Sequence, residues 1–120
     1  MSRAVLIVDD NARFRERARS TLETDGYTVV AEAEDGASAL TAARSHRPDV
    51  VLLDVGLPDM SGLTVAERLT SEPDGPAVVL TSTHDESDFA DGVARSGALG
   101  FVPKSALSGD AITTLMAQSP

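Results

Sequence analysis

The sequence predicts an α/β fold of five βα units: one domain, residues 1–120, built as a three-layer sandwich around a five-stranded parallel sheet. Three observations predict it. Short aliphatic runs alternate with segments of helical periodicity along the whole chain. The first of these runs, AVLIV, is apolar at every position, as in a strand covered on both faces. At 120 residues the chain can bury most of a core without disulfides or other staples. Right-handed crossovers between successive parallel strands then place helices on both faces.

Each element has its own signal. Ala4–Val8 is the first strand. Asn11–Gly26 follows as a helix, with Phe14, Ala18, Thr21 and Leu22 at helical spacing and Gly26 as its stop. Tyr27–Ala33 is a second, weaker strand, and Asp35–Pro48 is an alanine-rich helix that Pro48 terminates. Asp49–Asp54 (DVVLLD) is the third strand. Ser61 is placed to cap a helix that runs to Glu72, and the PDGP of Pro73–Pro76 is a loop. Ala77–Ser82 is the fourth strand, Asp85–Gly97 a helix, and Ala98–Lys104 (ALGFVPK) a fifth strand ending in lysine. Leu107–Gln118 closes the chain as a short helix.

Composition narrows the function. No cysteine is present, which excludes thiolate metal sites and suits a cytoplasmic protein. No apolar run approaches the roughly 20 residues that span a bilayer, and the N-terminus does not read as a signal peptide. A formal net charge of −9 argues against nucleic acid binding by this chain itself, because that affinity rests on neutralising phosphates.

In a parallel sheet the carboxyl ends of the strands share one edge, where ligands bind. Here the first strand ends in Asp9-Asp10-Asn11, the third in Asp54, the fourth in Thr81-Ser82 and the fifth in Lys104. Singly, each has an ordinary explanation as a cap, a turn residue or a surface cation. Together they do not, because clustered carboxylates repel unless a cation offsets them. Carboxylates without His or Cys suit Mg²⁺ or Mn²⁺ rather than zinc. A lysine and a hydroxyl beside such an ion are groups that orient a phosphoryl group, and a carboxylate can accept one as nucleophile.

The segments VLIVDDN, DVVLLDVGLPDMSG, VVLTSTHD and GALGFVPKSAL, in this order and spacing, resemble the receiver domain of bacterial two-component response regulators from about Arg3 to Ile112. The look is closest to receivers of LuxR/NarL-type transcription regulators. The resemblance implies a flavodoxin-like fold with strand order 2-1-3-4-5 and Mg²⁺-dependent transfer of a phosphoryl group from a histidine kinase to Asp54. It implies Asp9 and Asp10 as metal ligands together with Asp54 and the backbone carbonyl of Gly56, Asp10 being the more direct of the pair. Thr81 becomes the switch hydroxyl, Lys104 the phosphate partner and Phe101 the switch aromatic, while Gly56 and Thr83 tune the lifetime of the aspartyl phosphate. A homodimer through the fourth helix, fifth strand and fifth helix is a further expectation. DNA would be met only through an effector domain not present in this chain, and the chain is either a stand-alone receiver or part of a longer protein. Many receivers have a proline after this lysine in a cis bond, whereas here Ser105 follows Lys104 and Pro103 precedes it.

Other features read more plainly. His84 is a polar loop residue, and His46 faces the C-terminal dipole of its helix. RFRERAR is a solvated helix face or a kinase-docking surface. The glycines of EAEDGASAL and SGALGF are turns, not phosphate loops. The alternative to phosphorylation is a receiver-like interaction module that keeps the fold and works without phosphate. A turnover enzyme with an aspartate nucleophile would usually carry a second carboxylate where Gly56 stands, so a switch is expected rather than an enzyme. Flavin binding is weaker still, with no tryptophan and one tyrosine to flank the ring.

Overall fold

A computed structural model describes residues 3–83 and 90–118. Five parallel strands lie in the order β2-β1-β3-β4-β5: β1 (Ala4–Val8), β2 (Thr28–Ala33), β3 (Val50–Asp54), β4 (Ala77–Ser82) and β5 (Gly100–Pro103). The connecting helices are α1 (Ala12–Thr24), α2 (Gly36–His46), α3 (Gly62–Thr70) and α4 (Ala90–Ser96), and α5 (Gly109–Ala117) closes the chain. The expected helix from Asp85 lies partly outside the described residues, and His84 lies wholly outside them.

Period-two alternation explains why the strands read as unbroken apolar runs. Leu6, Val8, Val51, Leu53, Val78 and Leu80 turn to one face and pack with Ala39, Val65, Leu69 and Val93 of α2, α3 and α4. Val5, Ile7, Val50, Leu52 and Val79 turn to the other and pack with Phe14, Ala18 and Leu22 of α1 and Ile112 of α5. Both faces are therefore core. Every residue of β3 is buried, so Asp54 ends a strand packed on both faces.

Local chemistry fixes the element ends. Asn11 caps α1, its side chain accepting from Arg13 N and Phe14 N. Asp35 caps α2 in a capping box with Ser38, so the Asp35-Gly36 pair is a helix start. Ser61 caps α3 as expected, and Ser108 caps α5. Gly97 has φ +82, the left-handed conformation that glycine adopts without cost, and ends α4 against Thr70.

One boundary differs from the sequence expectation. β5 ends at Pro103, and Lys104 opens a single 3₁₀ turn, Lys104–Ala106, instead of closing the strand. Pro103 lacks an N–H and pairs last in the ladder, opposite Ser82, so pairing stops there. No cis peptide bond occurs among the described residues.

Candidate functional site

The strand order sets β1, β3, β4 and β5 side by side, so their carboxyl ends bring Asp9, Asp54, Thr81 and Lys104 to one edge. Asp9 stands one residue past β1, and its N–H still donates to Ala33 O of β2 at 3.0 Å. Its carboxylate is buried. Oδ1 accepts from Asn11 N at 2.8 Å, and Oδ2 lies 2.6 Å from Lys104 Nζ, an ion pair not aligned as a hydrogen bond. Asp10 is exposed. One carboxylate oxygen from each of Asp9, Asp10 and Asp54 falls within 4.8 Å of the others.

Asp54 Oδ1 accepts from Gly56 N at 3.2 Å, and Oδ2 lies 3.4 Å from Lys104 Nζ. Burial pushes the Asp54 carboxyl above its ordinary range, and the charge of Asp9 pushes the same way. The Gly56 N–H and Lys104 offset this in part. Thr81 faces Asp54 across the β3–β4 ladder, fully buried, with no hydrogen-bond partner for its hydroxyl. Thr83 is exposed. Phe101 is buried on the α2–α3–α4 side of the sheet, beside Leu80 in the ladder. All the sequence-named residues except Phe101 thus stand on or beside one edge, and Phe101 lies in the core beneath it.

One orphaned oxygen and one ion pair test whether a cation and an oxyanion fit here. The buried Thr81 hydroxyl has no hydrogen-bond partner, which is costly unless a ligand satisfies it, and the buried Asp9 Oδ2 is offset by the Lys104 ammonium without a hydrogen bond. An all-oxygen donor set from Asp9, Asp10 and Asp54 suits a hard divalent ion. The residues fit the group.

Several supporting residues were not singled out as site residues in the sequence. Arg15, in the RFRERAR run, donates through Nη1 to the backbone O of Asp9 at 2.6 Å and pairs with Glu32 at 3.1 Å. Arg19 pairs with the same Glu32 at 2.8 Å. That run is therefore solvated only in part: it pins the acidic end of β1. Asp59, in the β3–α3 loop, accepts from Gly36 N at 2.7 Å and Ala37 N at 3.0 Å, so the loop after Asp54 is tied to the N-terminus of α2. These bonds hold the Asp59 carboxyl below its ordinary range. Phe14, expected as core, lies beneath Lys104.

A cavity of about 740 Å³ lies at the opposite edge of the sheet, lined in part by Arg44, Arg47 and Arg68. Arg44 and Arg68 stand in the last turns of α2 and α3, where cations offset the helix dipoles.

The raised Asp54 pKa makes a stability prediction. The folded chain holds this proton more tightly than the unfolded one. As pH rises from the ordinary aspartate value of 3.8 through the higher folded value, ionising Asp54 subtracts stability, and below that window the loss is recovered. In metal-free buffer Asp54→Asn is expected to be at least as stable as the parent at neutral pH, with the difference closing as pH falls. Urea unfolding at stepped pH measures this. A parent that is more stable than the variant at neutral pH would contradict it.

The response regulator receiver domain family matches residues 5–116. The signal receiver domain of NarL from Mycobacterium tuberculosis superposes with a TM-score of 0.89 at 34% identity, covering 98% of each chain. A LuxR-family two-component response regulator from Aurantimonas sp. SI85-9A1 gives 0.86 at 30% identity, covering 98% of this chain and 84% of that one. The positive alginate biosynthesis regulatory protein of Pseudomonas aeruginosa is 44% identical over 108 residues, 88% of this chain and 43% of that protein. The chain spans about half the length of the first curated relatives it matches. With five parallel strands in this order and these residues at their ends, the chain belongs to the response regulator receiver domain family.

Proposed function

We propose that this receiver is a phosphorylation-controlled switch in which Asp54 accepts a phosphoryl group from the phosphohistidine of a sensor kinase. The observation that carries the reading is the buried Asp54, flanked by a lysine and by a threonine hydroxyl with no partner. Asp54 Oδ attacks phosphorus, the P–N bond to the kinase histidine breaks, and the transferred group remains as an aspartyl phosphate. Asp9, Asp10, Asp54 and the Gly56 carbonyl would hold Mg²⁺ or Mn²⁺, which when bound offsets charge on the phosphoryl oxygens. Lys104 pairs with one of those oxygens, and the Gly56 N–H already orients the carboxylate. Thr81 donates its hydroxyl to another, and Phe101 repacks into the space this leaves. The change is a shift between two packings of the α4–β5–α5 face, not a new fold.

On this reading the protein is a switch with an intermediate to short phosphate lifetime, not a turnover enzyme, and Gly56 and Thr83 set that lifetime. Residues 1–120 act as one receiver domain in the cytoplasm. The α4–β5–α5 face meets an output domain or a second copy, and transcriptional output comes through a DNA-binding effector outside this sequence. The relatives named as regulatory proteins of about twice this length favour that output. A phosphate-independent interaction module is disfavoured by the complete acidic set.

Incubation with Mg²⁺ and acetyl phosphate, followed by intact mass, tests the reading. One phosphoryl adduct is expected, and a folded protein that gains none from acetyl phosphate or a kinase would refute it. Asp10→Ala removes a direct ligand, so it is expected to weaken Mg²⁺ binding by at least the roughly 10- to 100-fold that losing an outer-shell partner costs, and to cut adduct formation in parallel. Unchanged metal affinity by titration calorimetry would remove Asp10 from the site.

A further inference from the structure

The Lys104 ammonium has a third neighbour besides its two carboxylates. It lies 2.6 Å from Asp9 Oδ2, 3.4 Å from Asp54 Oδ2, and over the Phe14 ring at 4.5 Å from its centroid. A cation this close to a ring face is attracted by the ring quadrupole, most strongly where water is excluded. Water is largely excluded here, since the Lys104 side chain is only 15% exposed. The ring itself is fixed. Phe14 sits in the first turn of α1, its N–H accepted by the Asn11 cap, and packs with Ala18 and Leu22 in the core.

Lys104 needs such a guide. It begins a 3₁₀ turn after the last ladder residue, so its backbone is not held by strand pairing. Its nearer carboxylate, Asp9, would draw it away from Asp54 if charge alone placed it. We propose that Phe14 is a positioning residue whose ring face holds the Lys104 ammonium in the gap between Asp9 and Asp54. The proposal rests on the reading above for what the lysine then does, but not for where it is held.

Replacing Phe14 by phenylalanines of increasing fluorine content keeps the ring shape and drains negative charge from its face. In the metal-free protein the NMR order parameter of the Lys104 Cε methylene is expected to fall with each step, while the thermal midpoint stays level. The rate of adduct formation from acetyl phosphate with Mg²⁺ is expected to fall roughly 2- to 30-fold across the series. Phe14→Tyr, which keeps the ring face, should retain both. An order parameter that is unmoved at full fluorination overturns the proposal. So does a loosened lysine with an unchanged rate, because the ring would then hold it to no purpose in transfer. If the parent protein takes no phosphoryl group, the function assigned above fails, and the order parameter alone decides whether Phe14 holds the lysine.

Discussion

Asp54→Asn is expected to lose the phosphoryl adduct entirely, a drop of at least about 1,000-fold in the rate of its formation, as removal of a nucleophile gives elsewhere. The two remaining carboxylates cannot substitute. Asp9 is buried with one oxygen committed to Asn11 N and the other against Lys104, and its backbone is held by Arg15. Asp10 is exposed and lacks the paired hydroxyl across the ladder. Asp54 alone joins a lysine at 3.4 Å, a backbone N–H at 3.2 Å and the unpartnered Thr81 hydroxyl on the facing strand. Asparagine keeps the shape and the Gly56 bond through its carbonyl oxygen, so lost chemistry would not be lost folding. The check is intact mass with acetyl phosphate, alongside far-ultraviolet circular dichroism. An adduct of equal yield on the variant would move the acceptor elsewhere, and peptide mapping would then locate it.

Most of the fold was legible because both faces of this sheet are buried. A strand such as Val50–Leu53 then shows its identity in composition alone, and the intervening helices show theirs in caps such as Asp35 and Ser61. The parallel sheet also made the site legible, since it turns a list of strand ends into a spatial set: Asp9, Asp54 and Thr81 needed no further geometry. Lys104 was legible as a residue but not as a conformation. A chain that reads ALGFVPK looks extended to its end, but the ladder stops at Pro103, opposite Ser82, the last residue of β4. The supports were hidden for a different reason. Arg15 and Phe14 are neighbours in sequence, yet one reaches the Asp9 carbonyl and the other the Lys104 ammonium. Periodicity places both on α1 but does not say how that helix is turned against β1. Asp59 reaches back 23 residues to cap α2, a contact no local pattern encodes.

Gly62→Ala is expected to damage both stability and the site, whereas Gly56→Ala is expected to leave folding nearly unchanged. The two glycines flank the same loop but differ in what surrounds them. A Cβ on Gly56 would meet nothing within 4 Å. A Cβ on Gly62 would collide with the Asp54 carbonyl oxygen and stand 2.8 Å from Val55 Cα and 2.9 Å from Asp54 C. All three are backbone atoms, so no side-chain rotation relieves the clash. The loop is also closed by the Gly62 N–H, which donates to Val55 O at 2.8 Å. Either α3 lifts from the sheet or the end of β3 moves. Overpacking of this kind costs about 1–3 kcal/mol, sometimes more, and should appear as a lower urea midpoint. Moving the end of β3 also displaces the Asp54 carboxylate from Lys104 and from the Gly56 N–H. A misplacement of about 1 Å at a reacting group can cost on the order of 100-fold, so adduct formation in the folded variant should slow towards that degree. If Gly62→Ala matched the parent in both urea midpoint and adduct rate, the close approach of α3 to β3 would not be what holds Asp54 in place.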